Sequence, residues 1–361
     1  MVQQPVWAEI DTPAPLVDVA QLDRNIAAMA AAFAQGPVSL RPHAKTHKCS
    51  AIALRQIASG AIGITCAKVG EAEALARPGI DDILIANEIV GPLKIARLVA
   101  LARRSSITVA VDNAENVAAL SAAAAEAGVT IGVLVDLDVG MGRAGVTTMR
   151  AAVELAHRVA VSPGLRFRGL MGYEGHVVDE RDLAQRHEGA RVALQKLSAA
   201  RRAVEESGLA VECLSAGGTG TYAVTSTWPD LTEAQVGSYV FMDANYRAIE
   251  GMEAFAPSLS VLATVMSRPT PARVIVDAGL KAMGSEYAAA ELLDFPQARC
   301  AYLSEEHGTF DFPSDPGLRI GDKVRVLPPH GCTTSNLHDR YYALRDGNVE
   351  IWPIEARGCC R

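Results

Sequence analysis

Hydrophobic residues fall in two rhythms along the chain. In LDRNIAAMAAAFAQG (residues 22–36) they recur at helical spacing and stop at Gly36, which predicts a helix with one buried face. VSLRPH (38–43) reads as the end of a strand, AIALRQIAS (51–59) as a helix, AIGITCA (61–67) as a strand and VGEAEALARPG (69–79) as a helix. Compact apolar runs in DDILIAN, SITVAVDN, IGVLVDLD, LRFRGLMGYEG, VECLSAGG and AQVGSYV predict further strands. Helix formers such as AENVAALSAAAAEAG and QRHEGARVALQKLSAARRAVEESG lie between them. This β-α alternation, repeated about eight times, predicts parallel strands joined by crossover helices.

A closed (β/α)8 barrel takes about 250 residues, and residues 20–250 supply them. An open doubly wound sheet is the competing arrangement. Polar residues recur at the C-terminal ends of nearly every strand. A barrel gathers those ends around one site, whereas an open sheet spreads them along an edge, so the barrel is expected. Past about residue 255 the rhythm changes to short alternating strands, in LSVLATVMSRPTPARVIVDAG, DKVRVLPPH and YYALRDGNVEIWPI, with a turn at Asp346-Gly347. Residues 251–361 are therefore expected to form a mainly β domain, with the extended segment EIDTPAPLVDV and residues 1–19 contributing.

Composition narrows the function classes. A chain that is 49% hydrophobic and 21% charged folds rather than stays disordered. A net charge of −7 with no long basic run excludes a general nucleic-acid binder. No apolar stretch approaches the roughly 18–20 residues that span a bilayer. MVQQPVWAEIDTPAP does not read as a signal peptide, and a cytoplasmic location is expected. The seven cysteines are scattered and lack CxxC spacing, so no disulfide framework is expected. Cys359 and Cys360, in a terminal GCCR, read as an exposed tail without a role.

Six stretches, in four groups, carry chemistry. RPHAKTHK (41–48) follows the first helix–strand unit and places Lys45 at the barrel mouth among Arg41, His43, His47 and Lys48; a lysine amine with cationic neighbours becomes a nucleophile toward aldehydes, although the stretch by itself also reads as a solvated basic loop. SAGGTGTY, with Gly218, Thr219, Gly220 and Thr221, and the later QVGSYV, with Gly237, Ser238 and Tyr239, end consecutive late strands where this barrel class forms phosphate sites. Either alone also serves as a tight turn. LDVGMGRAGV and GLMGYEGH set Arg143, then Tyr173, Glu174 and His176, beyond successive strands; each alone also reads as structural, a salt-bridged Arg or a satisfied His, but together Arg143 suits a cofactor ring and His176 a proton shuttle. Finally, if PPHGC continues as a strand, His330 and Cys332 share a face and can grip one divalent ion, preferably Zn²⁺.

Taken together, RPHAKTHK, GMGRAGV, GYEGH, GGTGTY, GSYVFMD, VDAGLKAM and LPPHGCTTSNLHDRYYALRDGNVEIWP resemble the D-threonine aldolase and D-serine dehydratase family, from about Asp11 to Gly358. The resemblance implies an alanine-racemase-type PLP-binding (β/α)8 barrel with a C-terminal β domain, and pyridoxal 5′-phosphate (PLP) as cofactor. It further implies PLP on Lys45, cofactor contacts from Arg143 and Tyr173, phosphate contacts from Gly218–Thr221 and Gly237–Tyr239, and His176 near the reacting hydroxyl. His330 and Cys332 would hold a divalent metal (Zn, Mn or Mg), and the protein would be a homodimer acting on a small D-amino acid. One departure stands out. Family aldolases typically read His-Cys-Asp at the metal, whereas His-Gly-Cys here is similar to the dehydratase branch; the flanking SNLHDRYYALRDGNVEIWPIEARG resembles the aldolase branch.

Both branches share their start, in which the substrate displaces Lys45 from the cofactor. In an aldolase, His176 removes the 3-hydroxyl proton and Cα–Cβ breaks, giving glycine and an aldehyde. In a D-serine or 3-hydroxyaspartate dehydratase, Lys45 removes the Cα proton and the hydroxyl leaves, giving a 2-oxo acid and ammonia. The longer C-terminal match carries the expectation to the aldolase. A non-catalytic PLP carrier would lack the second domain, and a racemase would need no metal.

Overall fold

The computed structural model describes residues 6–361, so the first five residues of the expected N-terminal contribution lie outside the described residues. The chain opens with β1 (Ala14–Asp18) and α1 (Val19–Ala34). An alternating series follows: β2 (Ser39–Leu40), α2 (Ser50–Ala58), β3 (Ile64–Cys66), α3 (Val69–Ala76), β4 (Asp82–Glu88) and α4 (Pro92–Ala102). It continues through β5 (Ser106–Val111), α5 (Ala114–Ala127), β6 (Ile131–Asp136), α6 (Met149–Ala160), β7 (Leu165–Met171) and α7 (Leu183–Glu206). β8 (Cys213–Ala216), α8 (Tyr222–Thr225), β9 (Glu233–Ala234) and α9 (Ala244–Arg247) complete it. Strands then dominate: β10 (Leu259–Thr270), β11 (Arg273–Val276), β12 (Glu291–Leu292), β13 (Arg299–Leu303), β14 (Gly308–Asp311), β15 (Lys323–Leu327), the short α10 (Gly331–Asn336), β16 (Arg340–Arg345) and β17 (Asn348–Pro353).

Two compact units result. The larger comprises Met29–Lys45, Ile52–Gly237 and Cys359–Arg361. Its eight strands run in the order β2-β9-β8-β7-β6-β5-β4-β3, and every neighbouring pair is parallel. The sheet curls until its edges meet at an isolated parallel bridge, His43↔Thr65. Thr65 N–H donates to Pro42 O at 2.8 Å and Ile62 N–H to Leu40 O at 2.9 Å, which closes the expected barrel. AQVGSYV does not continue as a strand. β9 is two residues long because its partners offer only Ser39–Leu40 on one side and Ser215–Ala216 on the other, and Ser238–Val240 turns into a 3-10 helix.

The barrel interior is layered. Near the seam Arg41, 2% exposed, donates through Nε to Glu233 at 2.8 Å and through Nη1 to Asp82 at 2.8 Å. A plug of Leu84, Ala110, Leu134, Met171 and Cys213 fills the middle. By strand alternation, the inward positions beyond the plug are Glu88, Asp112 and Asp136. Asp136 is 7% exposed, and both its burial and the neighbouring Glu88 favour its protonated form. Burial, reinforced by Glu88, pushes the Asp136 carboxyl up to about 7, against the pull of Arg143.

The smaller unit comprises the chain up to Ala28, Thr46–Ala51 and Ser238–Gly358. Its sheet runs β13-β14-β11-β10-β1-β16-β17, with β15 pairing β10 and β12. β1 lies antiparallel to β10 and parallel to β16. The β16–β17 hairpin turns on Asp346 and Gly347, both at positive φ (49° and 78°), the turn that suits the right-handed twist of its strands. Val261, Val265, Val276, Phe310 and Val326 form its core.

Two outcomes are expected from the barrel layers. Arg41→Ala strands Glu233 in the interior and should cost about 3–5 kcal/mol in urea unfolding, while Arg41→Met with Glu233→Leu recovers most of the loss. Because the folded chain holds the Asp136 proton to about pH 7 and the unfolded chain only to about pH 4, this group's contribution to stability falls as pH rises through that window. Asp136→Asn should flatten that fall and raise the cofactor-free melting temperature at pH 8 by roughly 2 °C or more. A variant melting with the parent's pH slope would refute the raised Asp136 carboxyl.

Candidate active site

Lys45 follows β2 directly, in the 3-10 turn Ala44–Thr46. The closing bridge at His43 fixes the start of that turn, and Lys45 N–H donates to His43 Nδ1 at 3.3 Å. Lys45 is partly exposed, and no ion pair holds its Nζ among the described residues. Its amine lies 5.7 Å from the centre of the Tyr173 ring, and the guanidinium of Arg143 lies 5.6 Å from the same centre. Three of the residues expected around a cofactor thus meet at one ring. An amine with no carboxylate beside it is what carbonyl addition requires.

The loop carrying Arg143 is shaped by carboxylates. Asp138 Oδ1 accepts from the N–H groups of Gly140 and Gly142 at 2.9 and 3.0 Å, which holds its carboxyl below the usual range. Asp112 Oδ2 accepts from Gly145 N–H at 3.3 Å. His176, exposed beyond β7, packs on this loop: a Cβ on Gly140 would stand 2.9 Å from its Cε1 and Nε2. Gly140 also sits at φ 136°, so a glycine is required there on both counts.

The Gly218–Thr221 loop is built on Glu174, which is fully buried. The Thr221 hydroxyl donates to Glu174 Oε1 at 2.6 Å and Gly217 N–H to Oε2 at 3.2 Å, while burial pushes the carboxyl up. A Cβ on Gly220 would lie 1.7 Å from Val178 O, and one on Gly218 would lie 2.8 Å from Val178 Cγ1 and 3.3 Å from Tyr173 Cε2. The result is bare backbone beside Tyr173, which close approach of a phosphate group needs. These residues fit the phosphate end of PLP. Gly237 ends the barrel unit, and Ser238 and Tyr239 begin the smaller one. The Tyr239 ring is buried 5.9 Å from that of Phe255.

His330 and Cys332 come together by a route other than the expected strand. β15 stops at Leu327; His330 is extended (φ −140°, ψ 125°) and caps α10, which contains Cys332. A helix forms here because Asp243, 2% exposed, accepts from Gly331 N–H at 2.7 Å, placing a carboxylate at the helix start. Thr334 and Ser335 hydroxyls bond back to His330 O at 2.6 Å and Gly331 O at 2.8 Å. The same Asp243 oxygen lies 3.2 Å from His330 Nδ1, and Thr46 Oγ1 lies 3.4 Å from Cys332 Sγ. Burial disfavours the charged imidazole, yet hydrogen bonds to Asp243 and Cys332 raise His330 to about 11. Among the described residues no group of three or more His, Cys, Asp or Glu side chains is arranged for a metal. An imidazole and a thiol in contact, with a carboxylate behind the imidazole, fit a divalent ion that keeps positions open for water or substrate.

Sequence reasoning missed Asp243, Glu88 and the placement of α10. FMDANY gave one usable signal, an Asp three residues before Tyr246, whose N–H it caps at 3.1 Å. The GCCR tail is also more ordered than expected: Arg361 O accepts from Gly70 N–H at 2.9 Å, and Cys359 is only partly exposed.

Known proteins share this fold. A family model described as the alanine racemase N-terminal domain matches residues 17–245, and one described as a putative serine dehydratase domain matches residues 258–344. The chain is 44% identical over 360 residues to a D-threonine aldolase of an Arthrobacter species, covering 98% of this chain and 94% of that one. The crystal structure of D-threonine aldolase from Filomicrobium marinum superposes with a TM-score of 0.95 at 39% identity, covering 98% and 97%. D-threo-3-hydroxyaspartate dehydratase from Delftia sp. HT23 superposes at 0.89 with 28% identity, covering 97% and 99%. Its solved forms include a histidine-to-alanine variant and, two positions on, a metal-free cysteine-to-alanine variant. No described helix is long and apolar enough to cross a membrane. The chain belongs to the D-threonine aldolase and D-serine dehydratase family, PLP-dependent lyases built on the alanine-racemase fold.

Proposed function

We propose that the protein cleaves D-configured 3-hydroxy amino acids by a retro-aldol reaction, D-threonine to glycine and acetaldehyde in type, with PLP and a divalent metal. The observation that carries this reading is the 44% identity, over nearly all of both chains, to an aldolase. The match to the dehydratase, at 28%, is weaker over a similar span.

Each residue has a task under this reading. Lys45 holds the cofactor, Gly218–Thr221 and Gly237–Tyr239 take its phosphate, and Arg143 and Tyr173 fix its ring. His330 and Cys332 hold the metal, with Asp243 orienting the imidazole through Nδ1. When bound, PLP supplies an electron sink for the pair released at Cα, and the metal polarises the 3-hydroxyl. His176, seated on Gly140, takes the hydroxyl proton, and Cα–Cβ then breaks. The reading includes a homodimer in the cytoplasm.

Cys332 favours a second reading, dehydration, because the solved dehydratase has a histidine and a cysteine spaced as His330 and Cys332 are. There Lys45 would take the Cα proton and the hydroxyl would leave.

One tube separates the two. Protein with PLP, Mn²⁺ and D-threonine should release acetaldehyde and glycine, with L-threonine inert; 2-oxobutanoate and ammonia would instead establish the dehydratase. Lys45→Ala should abolish both the reaction and the protein-bound PLP absorbance. Chelator treatment should remove activity, and Mn²⁺ or Zn²⁺ should restore it. Asp243→Asn should weaken metal binding by about 10–100-fold in competition with a chromophoric chelator; unaltered affinity would remove Asp243 from the site.

A further inference from the structure

Tyr287 is an outlier in two respects. Its φ is 70°, in the left-handed region that side chains rarely adopt, and its side chain is 66% exposed. Neither burial nor backbone preference accounts for an aromatic residue there. Its ring nevertheless has a fixed neighbour: it stands edge-on to the His330 imidazole, centroids 5.2 Å apart and planes at 89°. The loop bearing it is fastened to α10. Gly284 N–H donates to Thr334 Oγ1 at 3.1 Å, and the Thr333 hydroxyl donates to Glu286 Oε2 at 2.9 Å. A Cβ on Gly284 would lie 2.0 Å from Thr333 Oγ1, so loop and helix close on each other without slack. Strain and exposure are thus held rigidly beside one side chain, the imidazole of His330.

We propose that Tyr287 is a specificity-determining residue that receives the substituent on C3 of the substrate and favours a neutral, apolar or flat group over a carboxylate. The inference rests on the assignment above, in which the metal at His330 takes the 3-hydroxyl. The substituent is bonded to the carbon that bears that hydroxyl, so it falls within reach of the ring beside His330. An aromatic face suits an apolar or aromatic group. The local charges disfavour a second carboxylate: Glu286 adjoins Tyr287, and Asp243 lies behind His330. The cation of the segment 279–290, Lys281, is already paired with Glu306 at 2.6 Å.

Unreactive 3-hydroxy acids lacking the amino group test this without turnover. Calorimetry on the PLP- and Mn²⁺-loaded protein would compare 3-hydroxy-3-phenylpropanoate, 3-hydroxybutanoate and malate, whose C3 substituents are phenyl, methyl and carboxylate in this numbering. The parent should bind the phenyl compound at least ~10-fold tighter than malate, Tyr287→Ala should lose about that factor, and Tyr287→Phe should keep it. Glu286→Gln should improve malate selectively. With D-phenylserine as substrate, the Tyr287→Ala defect should fall on KM rather than kcat. An unchanged ratio in Tyr287→Ala, or a loss of metal affinity equal to the loss of ligand, overturns the proposal. A shifted ratio in a protein that cleaves no D-3-hydroxy amino acid supports the contact and overturns the reaction assigned.

Discussion

The barrel depends on a guanidinium sealed in its wall. Arg41 follows β2, one edge of the eight-stranded sheet, and binds Glu233 from β9 and Asp82 from the start of β4. A cation this deeply buried is tolerable only with such partners, and the partners are tolerable only with the cation. The arrangement therefore ties the edge at β2 to the strands that must meet it. Two residues on, His43 bridges to Thr65 in β3; two further on, Lys45 emerges at the mouth. The position of the Lys45 amine is thus set by a closure made of backbone hydrogen bonds and the two ion pairs of the buried Arg41. Lys45 itself needs no anchor.

Above the apolar plug the same economy recurs in carboxylates. Asp138 and Asp112 shape the Arg143 loop by accepting its backbone N–H groups, and Glu174 does so for the Gly217–Thr221 loop. Carboxylates that accept from backbone donors, fully buried in the case of Glu174, make rigid loops from glycine-rich sequence, which would otherwise be mobile. Rigidity at these loops is what a cofactor ring and phosphate require, and the two loops meet at Tyr173.

How much of this was legible follows from the kind of signal each feature leaves. Strands β3 to β8 were readable because their apolar runs are bounded by polar ends, and the mouth residues followed from those ends. β9 was overextended: AQVGSYV is apolar enough for a strand, but the ladder ends when its neighbours turn away, which no local pattern records. α10 was missed because Pro328, Pro329 and Gly331 read as breakers, and the helix is nucleated by Asp243 from a segment 88 residues earlier. Tyr287 left no trace in the sequence, since its strained φ and exposed ring are properties of the folded loop.

The conflict between Cys332 and the aldolase-like sequence around it has a physical resolution. A thiolate and a carboxylate each bring one negative charge to a divalent ion, so exchanging them leaves the formal charge near the substrate's hydroxyl unaltered. What changes is softness: a thiolate shifts preference from Mn²⁺ or Mg²⁺ toward Zn²⁺. In the proposed reaction the bond that breaks would be decided elsewhere, by how the substrate is oriented toward the cofactor's electron sink, which a metal ligand does not set. Under the proposed assignment, Cys332 would report which metal the site prefers and not which branch of chemistry it runs.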